Sequence, residues 1–232
     1  MRVYQFRHIR PSFRLSSPAT PRRAAGAAWP ASHRRVCGRP AGGRGGEIVS
    51  DAGEGRGPVD LRGGLVRLRP ASAADAGRFA AILADPGVAG WWGSYDLDRV
   101  MSELIAPTDG TATFAVEVDR QVIGLIQCWE ETDPDYRHAG IDVALDPAWH
   151  GRGLGADAVR TLARHCFDDL GHHRVVIDPA AHNERAIRCY ERVGFRPVGI
   201  MRRYERGRDG TWHDGLLMDL VPEELTAGRA PV

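Results

Sequence analysis

Residues 150–155 form a glycine-rich turn at the start of the most regular amphipathic segment of the chain. The turn reads His-Gly-Arg-Gly-Leu-Gly, and a helical pattern begins within it at Leu154. Glycines let backbone amides converge without obstruction by Cβ atoms, and the first turn of a helix adds the positive end of its dipole. Arg152 can add a bidentate contact to phosphate oxygens. The turn therefore predicts a diphosphate site, with a plain helix-starting turn as the alternative, and its spacing differs from the G-x-G-x-x-G of dinucleotide-binding folds.

A second segment whose residues could take part in catalysis follows about 30 residues later. Asn183 is placed to cap a helix, and Ala186, Tyr190 and the pair Gly194-Phe195 follow it at regular intervals. A phenol can donate a proton to a departing group, and it stays neutral at working pH. Tyr190 is therefore a candidate general acid, with a core aromatic on the packed helix face as the alternative.

Hydrophobic periodicity predicts the elements that must position these residues. Strands are expected at 65–69, 111–118, 121–129, 140–145, 173–177, 195–200 and 216–220, and helices at 73–83, 96–105, 154–170 and 183–193. Asp119-Arg120 is a two-residue hairpin connection, and Asp85-Pro86-Gly87 is expected to end the first helix. Because helix 154–170 joins strands 140–145 and 173–177, the pattern predicts a mixed α/β fold with a crossover between parallel strands.

The charges are divided unevenly along the chain. All 31 basic residues other than histidine are arginine, which excludes P-loop and pyridoxal chemistry because both need a lysine. Residues 1–58 carry 11 Arg and three acidic residues, and their glycine-rich composition predicts a disordered extension. A targeting peptide and a nucleic-acid-binding arm are the alternatives for this segment. Residues 59–232 carry 20 Arg and 27 acidic residues, which favours cationic ligands and argues against nucleic acid.

Length and cysteine usage restrict the class of protein further. The 232 residues suit one domain plus a tail, and no apolar run approaches the roughly 18–20 residues that a membrane-spanning helix needs. The four cysteines are widely spaced, which is typical of free thiols in a reducing compartment, so we expect a cytoplasmic protein that is a monomer or a homodimer. They are Cys37, Cys128, Cys166 and Cys189. No metal-ligand spacing accompanies His172 and His173, so no metal is predicted.

The two motifs together resemble the GNAT acetyltransferase superfamily. In that superfamily an Arg-x-x-Gly-x-Gly type of diphosphate loop precedes the pattern Asn-x-x-Ala-x-x-x-Tyr-x-x-x-Gly-Phe. The resemblance covers about residues 65–221, and His150 departs from the Gln or Arg that the family often has at the start of the loop. It implies an N-acetyltransferase domain at 59–232, with a central, mostly antiparallel sheet and a splayed parallel strand pair flanked by helices.

The resemblance also implies acetyl-CoA as the co-substrate, threaded between the splayed strands. Tyr190 is implied to lie near the thioester sulfur. The implied donor-binding residues are the backbone of Val143, Ala144 and Leu145, the turn residues Arg152, Gly153, Leu154, Gly155 and Ala156, and the side chain of Asn183.

Within the superfamily the chain is most similar to the aminoglycoside 6′-N-acetyltransferases. The similarity lies in Trp91-Trp92-Gly93, in Gly140-Ile141-Asp142 and in Asp178-Pro179. It implies that Asp142 is a catalytic base or orienting carboxylate for the acceptor amine, and that Asp178 anchors the substrate. The chemistry agrees, because an acceptor amine must lose a proton before it attacks a thioester.

A polycationic small-molecule amine would need several carboxylates. Glu130 and Glu131 open an acidic run on the loop beyond the third predicted strand and are candidates, with a solvated acidic loop as the alternative. Trp91 and Trp92 are candidates for stacking on a sugar ring, or for core packing. Three other functions stay open: acetylation of ribosomal or other protein N-termini, acylation of a siderophore hydroxylysine, and non-enzymatic acyl-CoA sensing with a basic nucleic-acid-binding arm.

Overall fold

One mixed sheet of eight strands organises the part of the chain that the structure, a computed structural model, describes, residues 59–207 and 209–228. The strand order is β1-β2-β3-β4-β5-β6-β8-β7, and β5–β6 is the parallel pair in an otherwise antiparallel sheet. The strands are β1 (Leu61–Arg62), β2 (Arg67–Pro70), β3 (Ala112–Val118), β4 (Gln121–Glu131), β5 (His138–Leu145), β6 (Val175–Ile177), β7 (Arg196–Arg206) and β8 (Trp212–Leu220). The expected mixed α/β fold is confirmed, and the expected extension at 1–58 lies outside the described residues.

Five α-helices cover the two faces of this sheet. They are α1 (Ala76–Ala84), α2 (Pro86–Trp92), α3 (Leu97–Val100), α4 (Leu154–Asp168) and α5 (Glu184–Glu191). One apolar cluster, which contains Ile141, Leu162 and Phe195, lies between the sheet and α4 and α5. A second cluster, which contains Phe79 and Leu125, lies under α1, α2 and α3. Because side chains alternate along β5, consecutive residues of this strand contribute to opposite clusters. No described helix is long and apolar enough to cross a membrane.

The segment between the first two expected helices differs from the sequence prediction. Asp85-Pro86-Gly87 ends α1, as expected, but it also begins α2, because the Asp85 side chain accepts a hydrogen bond from the Gly87 amide at 2.8 Å and Pro86 occupies the first helical turn. Proline is well tolerated at that position, where its missing N–H would have had no partner. The expected helix 96–105 is divided into α3 and a π-helical turn, Met101–Ile105. Strands β7 and β8 form a hairpin that is longer than periodicity indicated.

The parallel pair β5–β6 separates soon after it forms. Only two residues of each strand are in register, Ala139 with Val175 and Gly140 with Val176. Beyond them β5 continues to Leu145 alongside β4, whereas β6 ends at Ile177 and pairs with β8. A gap therefore opens in the sheet beside residues 141–145, and α4 makes the crossover between the two strands.

Asp157 holds the start of α4 against the first hairpin of the sheet. This buried carboxylate accepts hydrogen bonds from the backbone amides of Leu65 and Val66 at 2.6 and 3.1 Å, and from that of Gly64 at 3.3 Å. The bonds fix α4 relative to β1 and β2, and so they fix the position of the glycine turn that precedes the helix. Farther along α4, the thiol of Cys166 lies 3.5 Å from that of Cys128 on β4, and both are buried and free.

Candidate functional site

The glycine turn has the geometry of an anion cradle. Gly151 and Gly153 have φ angles of +78° and +81°, in the left-handed region that favours glycine, and both are exposed. Gly153 is the N-cap of α4 and has no side chain to satisfy the first amides of the helix. The N–H groups of Leu154, Gly155 and Ala156 precede the first intrahelical donor, Asp157. These free donors and the helix dipole fit a diphosphate at the turn.

Arg152 stands beside this cradle and is preorganised. Its guanidinium carbon lies 4.9 Å from the centre of the Trp149 ring, and one nitrogen donates to the Ala148 carbonyl at 3.1 Å. The side chain is exposed and makes no ion pair with a carboxylate among the described residues. Its full positive charge is therefore available next to the turn.

Three side chains from three elements come together at the gap between β5 and β6. Tyr190 is buried at the end of α5, with its ring 6.1 Å from that of Phe195. Burial raises the pKa of Tyr190, and the charges of Cys189, Asp142 and Asp178 raise it further. Asp142 lies half-buried on β5 opposite Gln127, and Asp178 follows β6. The arrangement combines a phenol that stays protonated with two carboxylates.

The loop after β6 is held rigidly at this gap. Asp178 accepts a hydrogen bond of 2.5 Å from the Tyr204 hydroxyl on β7. The Pro179 carbonyl accepts from the Leu216 amide on β8 at 2.8 Å. Asn183 caps α5 by accepting from the Ala186 amide at 3.2 Å, which leaves its amide N–H groups as donors for a ligand. Along β5, Val143 is half-buried, whereas Ala144 and Leu145 are buried in the two opposite clusters.

Sequence reasoning did not select a second group of side chains, near α2 and α3, of which Tyr95 interacts electrostatically with Asp142. Tyr95 has its ring 6.3 Å from that of Trp92 and 3.9 Å from the guanidinium carbon of Arg99. Burial raises the pKa of Tyr95, and the negative charges of Glu103 and Asp142 contribute to the increase. The position of Tyr95 three residues after the Trp91-Trp92 pair is the one sequence signal that could have indicated it.

Glu103 contributes an incompletely satisfied carboxylate to the same group. One oxygen accepts from Arg99 Nε at 3.0 Å, whereas Oε2 is buried and has no hydrogen-bond partner among the described residues. A hydrogen bond with Glu103 is among the causes that raise the pKa of Tyr95, so the Tyr95 hydroxyl faces this carboxylate.

A cavity of about 330 Å³ lies on the outer side of this region. The exposed ring of Trp91 lies 5.1 Å from His182, which in turn lies 5.6 Å from His213. The three rings form one wall, and the β7–β8 hairpin supplies charged groups to the others. The lining residues are Gly90, Trp91, Gly93, His182, Glu205, Arg206, Gly207, Asp209 and His213. Such a wall suits the flat face of a ring-shaped ligand.

The structure does not bring Glu130 and Glu131 to this site. Glu130 pairs with Ala139 and Glu131 with His138, at the start of β5. The gap lies at the other end of β5, toward Leu145. Glu130 accepts a 2.7 Å hydrogen bond from Nε2 of the buried His172, and Glu131 accepts from the Asp133 amide at 3.0 Å. Burial lowers the pKa of His172 despite its carboxylate partner. These contacts give Glu130 a role in fixing the loop before β6.

Comparison with known proteins agrees with this geometry. The family of acetyltransferase (GNAT) domains matches residues 66–196, and the chain belongs to this family. The matched residues thus contain an acetyltransferase domain of the GNAT type. The aminoglycoside N(6′)-acetyltransferase type 1 of Klebsiella pneumoniae is 30% identical over 130 residues, which cover 48% of this chain and 64% of that protein. The chain therefore spans just under two thirds of the length of that relative.

Two solved structures extend the similarity to three dimensions. AAC(6′)-Ib in complex with paromomycin and acetyl-CoA is 25% identical, with a TM-score of 0.59, and the match covers 69% of this chain and 95% of that one. RimJ of Mycobacterium smegmatis in complex with CoA-disulfide is 28% identical, with a TM-score of 0.63 and coverage of 74% and 90%. Neighbours of this fold thus bind acetyl-CoA or CoA.

Proposed function

We propose that the protein transfers the acetyl group of acetyl-CoA to the 6′-amine of an aminoglycoside in the cytoplasm. The observation that carries the proposal is the pair of acidic residues at the gap, Asp142 on β5 and Asp178 after β6, which both interact electrostatically with the buried Tyr190. Aminoglycosides carry several ammonium groups, which need several carboxylates. The similarity to a 6′-acetyltransferase over 130 residues supports the same acceptor.

The donor would lie along the gap, with its diphosphate on the amides of α4 and its pantetheine arm between β5 and Asn183. Arg152 would contact the diphosphate from the open side of the turn. The fit rests on the uncapped start of α4 and on the early separation of β5 from β6.

The chemical step follows from the two kinds of side chain at the gap. Asp142 takes a proton from the acceptor ammonium, and the neutral amine then attacks the thioester carbonyl. The C–N bond forms, the nitrogen then releases its second proton to solvent as the C–S bond breaks, and the Tyr190 hydroxyl donates its proton to the departing thiolate. Asp142 releases its proton to solvent after the products leave. Tyr190 suits this task because burial keeps it protonated, and it regains a proton from solvent after the products leave.

An amine panel tests the proposal directly. Release of free thiol from acetyl-CoA is measured with a kanamycin-type aminoglycoside, a hydroxylysine derivative and a ribosomal-protein N-terminal peptide. We expect the highest kcat/KM for the aminoglycoside, and none for a matched compound with a 6′-hydroxyl in place of the 6′-amine. Equal rates with both compounds would place the transfer on another position, and turnover of the peptide alone would exclude the aminoglycoside.

Acetylation of a protein N-terminus is the second candidate. Arg206 lines the cavity, and the exposed Arg202 and Arg203 lie on the same strand. These arginines suit a peptide with acidic residues, although Glu205 and Asp209 also line the cavity. The similarity to RimJ supports the candidate, and the peptide arm of the panel distinguishes it from the first.

A further inference from the structure

Arg185 and His150 link the first turn of α5 to the glycine turn. Arg185 is the second residue of α5 and is exposed, and its Nη1 lies 2.8 Å from His150 Nδ1. The other imidazole nitrogen, Nε2, lies 3.0 Å from the carbonyl oxygen of Leu145, the last residue of β5. His150 therefore connects the end of β5 to an arginine on the opposite side of the turn.

The two partners of His150 determine its protonation. A backbone carbonyl can only accept, so Nε2 carries the hydrogen, and a guanidinium can only donate, so Nδ1 is bare. Burial and the charge of Arg185 lower the pKa of His150, and they outweigh the opposing charges of Asp146 and Asp85. Asp146 is itself paired with Arg78. At neutral pH the imidazole is uncharged, so it orients Arg185 without cancelling its charge.

Arg185 differs in this respect from the next arginine of the same helix. Arg188 donates to the carboxylate of Glu184 at 2.9 Å, one turn apart on the exposed face of α5. Arg185 makes no ion pair with a carboxylate among residues 59–207 and 209–228. A guanidinium held by a neutral acceptor keeps both its charge and its remaining N–H donors for an anion.

We propose that Arg185 binds a phosphate group of CoA at the glycine turn, and that His150 is the residue that positions it. With Arg152 at the turn itself, Arg185 places a second unneutralised guanidinium beside the uncapped amides of α4. The inference rests on the proposed use of acetyl-CoA. It assigns a binding role to a residue outside the glycine turn.

Calorimetric titration with CoA tests the proposal on the full-length protein. We expect Arg185→Gln to weaken binding by about tenfold or more, because hydrogen bonds to charged groups contribute that much. Arg188→Gln is the matched control, since it removes the same charge three residues away, and it should bind as the wild-type protein does. Arg185→Lys keeps the charge and should recover part of the loss.

Titration with dephospho-CoA identifies which phosphate Arg185 contacts. If Arg185→Gln also weakens binding of dephospho-CoA, the contact is with the diphosphate, and if it does not, the contact is with the 3′-phosphate.

A double-mutant cycle tests the role of His150. His150→Phe keeps a ring of similar shape but removes both hydrogen bonds, so we expect weaker CoA binding. The double variant His150→Phe/Arg185→Gln should bind no more weakly than Arg185→Gln, because His150 acts through Arg185. In steady-state assays KM for acetyl-CoA should rise while kcat at saturation stays within about twofold.

Two outcomes overturn the inference while leaving the proposed function intact. One is CoA affinity in Arg185→Gln equal to that of the wild-type protein. The other is an equal loss in Arg188→Gln, which would reveal a general effect of charge. Absence of CoA binding by the wild-type protein would instead overturn the proposed function, and this inference with it.

Discussion

At the residue scale, Asp142 and Tyr190 differ mainly in their exposure to solvent. Tyr190 is buried between α5 and the sheet, where only its neutral form is stable. Asp142 is half-buried on β5, near the one gap in the sheet. A phenol that is protonated at rest and a more accessible carboxylate are suited to opposite directions of proton transfer, and separate substitutions can distinguish the two roles.

Asp142→Asn keeps the shape of the side chain but removes a proton acceptor and a negative charge. We expect kcat/KM for the acceptor amine to fall by about 10²–10⁴-fold, the usual range for loss of a general base. Raising the pH should recover part of the loss, because more of the amine is then already neutral. Steady-state kinetics across pH measure both effects, with Asp168→Asn, an exposed change at the end of α4, as the control for charge. Full turnover with every amine would assign Asp142 a structural role and favour the peptide acceptor.

Tyr190→Phe removes one hydroxyl and preserves the packing against Phe195. The chemical step should slow by up to about 10²–10⁴-fold, while the affinity for CoA and the melting temperature stay close to wild type. Single-turnover kinetics and calorimetry separate the two quantities. An unchanged rate of the chemical step would mean that the thiolate leaves without help and that Tyr190 is a core aromatic.

At the element scale, the start of α4 depends on the backbone conformation of Gly153. An alanine there has space, since the nearest side-chain atom to its Cβ would be Leu65 Cδ1 at 3.7 Å, but φ is +81°. Gly153→Ala should therefore lower the free energy of unfolding by about 1–2 kcal/mol through backbone strain. Gly153→Asp adds a negative charge next to the proposed diphosphate site and should weaken CoA binding far more than the alanine variant does. Equal CoA affinities in the two folded variants would show that the diphosphate does not bind at this turn.

The same helix depends on Asp157, whose carboxylate joins it to the first hairpin. Asp157→Asn replaces an anion that accepts three backbone hydrogen bonds with a neutral amide that can accept fewer. We expect the free energy of unfolding to fall by about 2–4 kcal/mol, because hydrogen bonds to a buried charge are among the stronger ones. Urea denaturation measures the change, and Asp168→Asn on the exposed side of α4 should alter it by less than about 0.5 kcal/mol. A small effect at Asp157 would mean that apolar packing alone holds the helix.

At the scale of the whole molecule, the chain divides by charge into a basic segment at 1–58 and an acidic one at 59–232. Acidic net charge in the second segment favours a cationic acceptor by long-range attraction. The cavity beside Trp91 and the candidate residue Asp142 both belong to this segment.

The proposed domain boundary leads to a prediction about truncation. A chain that begins at Val59 should match the full-length protein in melting temperature and in turnover, because residues 1–58 contain neither motif of the site. Thermal denaturation and the thiol-release assay measure the two quantities. A loss of several degrees or of most activity would show that the first 58 residues contribute to the folded enzyme.

Much of the fold follows from local patterns in the sequence. The long helix α4, the Asp119-Arg120 hairpin turn and the crossover between β5 and β6 are encoded by residues close together in the chain, so periodicity and turn chemistry predict them. The start of α2 was missed because Asp85-Pro86-Gly87 can end one helix and begin another, and local sequence does not exclude either. The full length of β7 was missed because its side chains are mostly exposed and show no apolar alternation.

The sequence by itself determined the family, the glycine turn and the candidates Asp142, Asp178 and Tyr190, because each lies within a short motif of regular spacing. Only the tertiary structure decided which acidic residues share a site. It brought Tyr95 within the electrostatic influence of Asp142, and it paired Glu130 with His172. It also joined Arg185 to His150, which are 35 positions apart in the chain. Such contacts depend on how β5, α4 and α5 pack across the gap in the sheet. The residue pattern within a single element does not predict this packing, because the partners are far apart in the sequence.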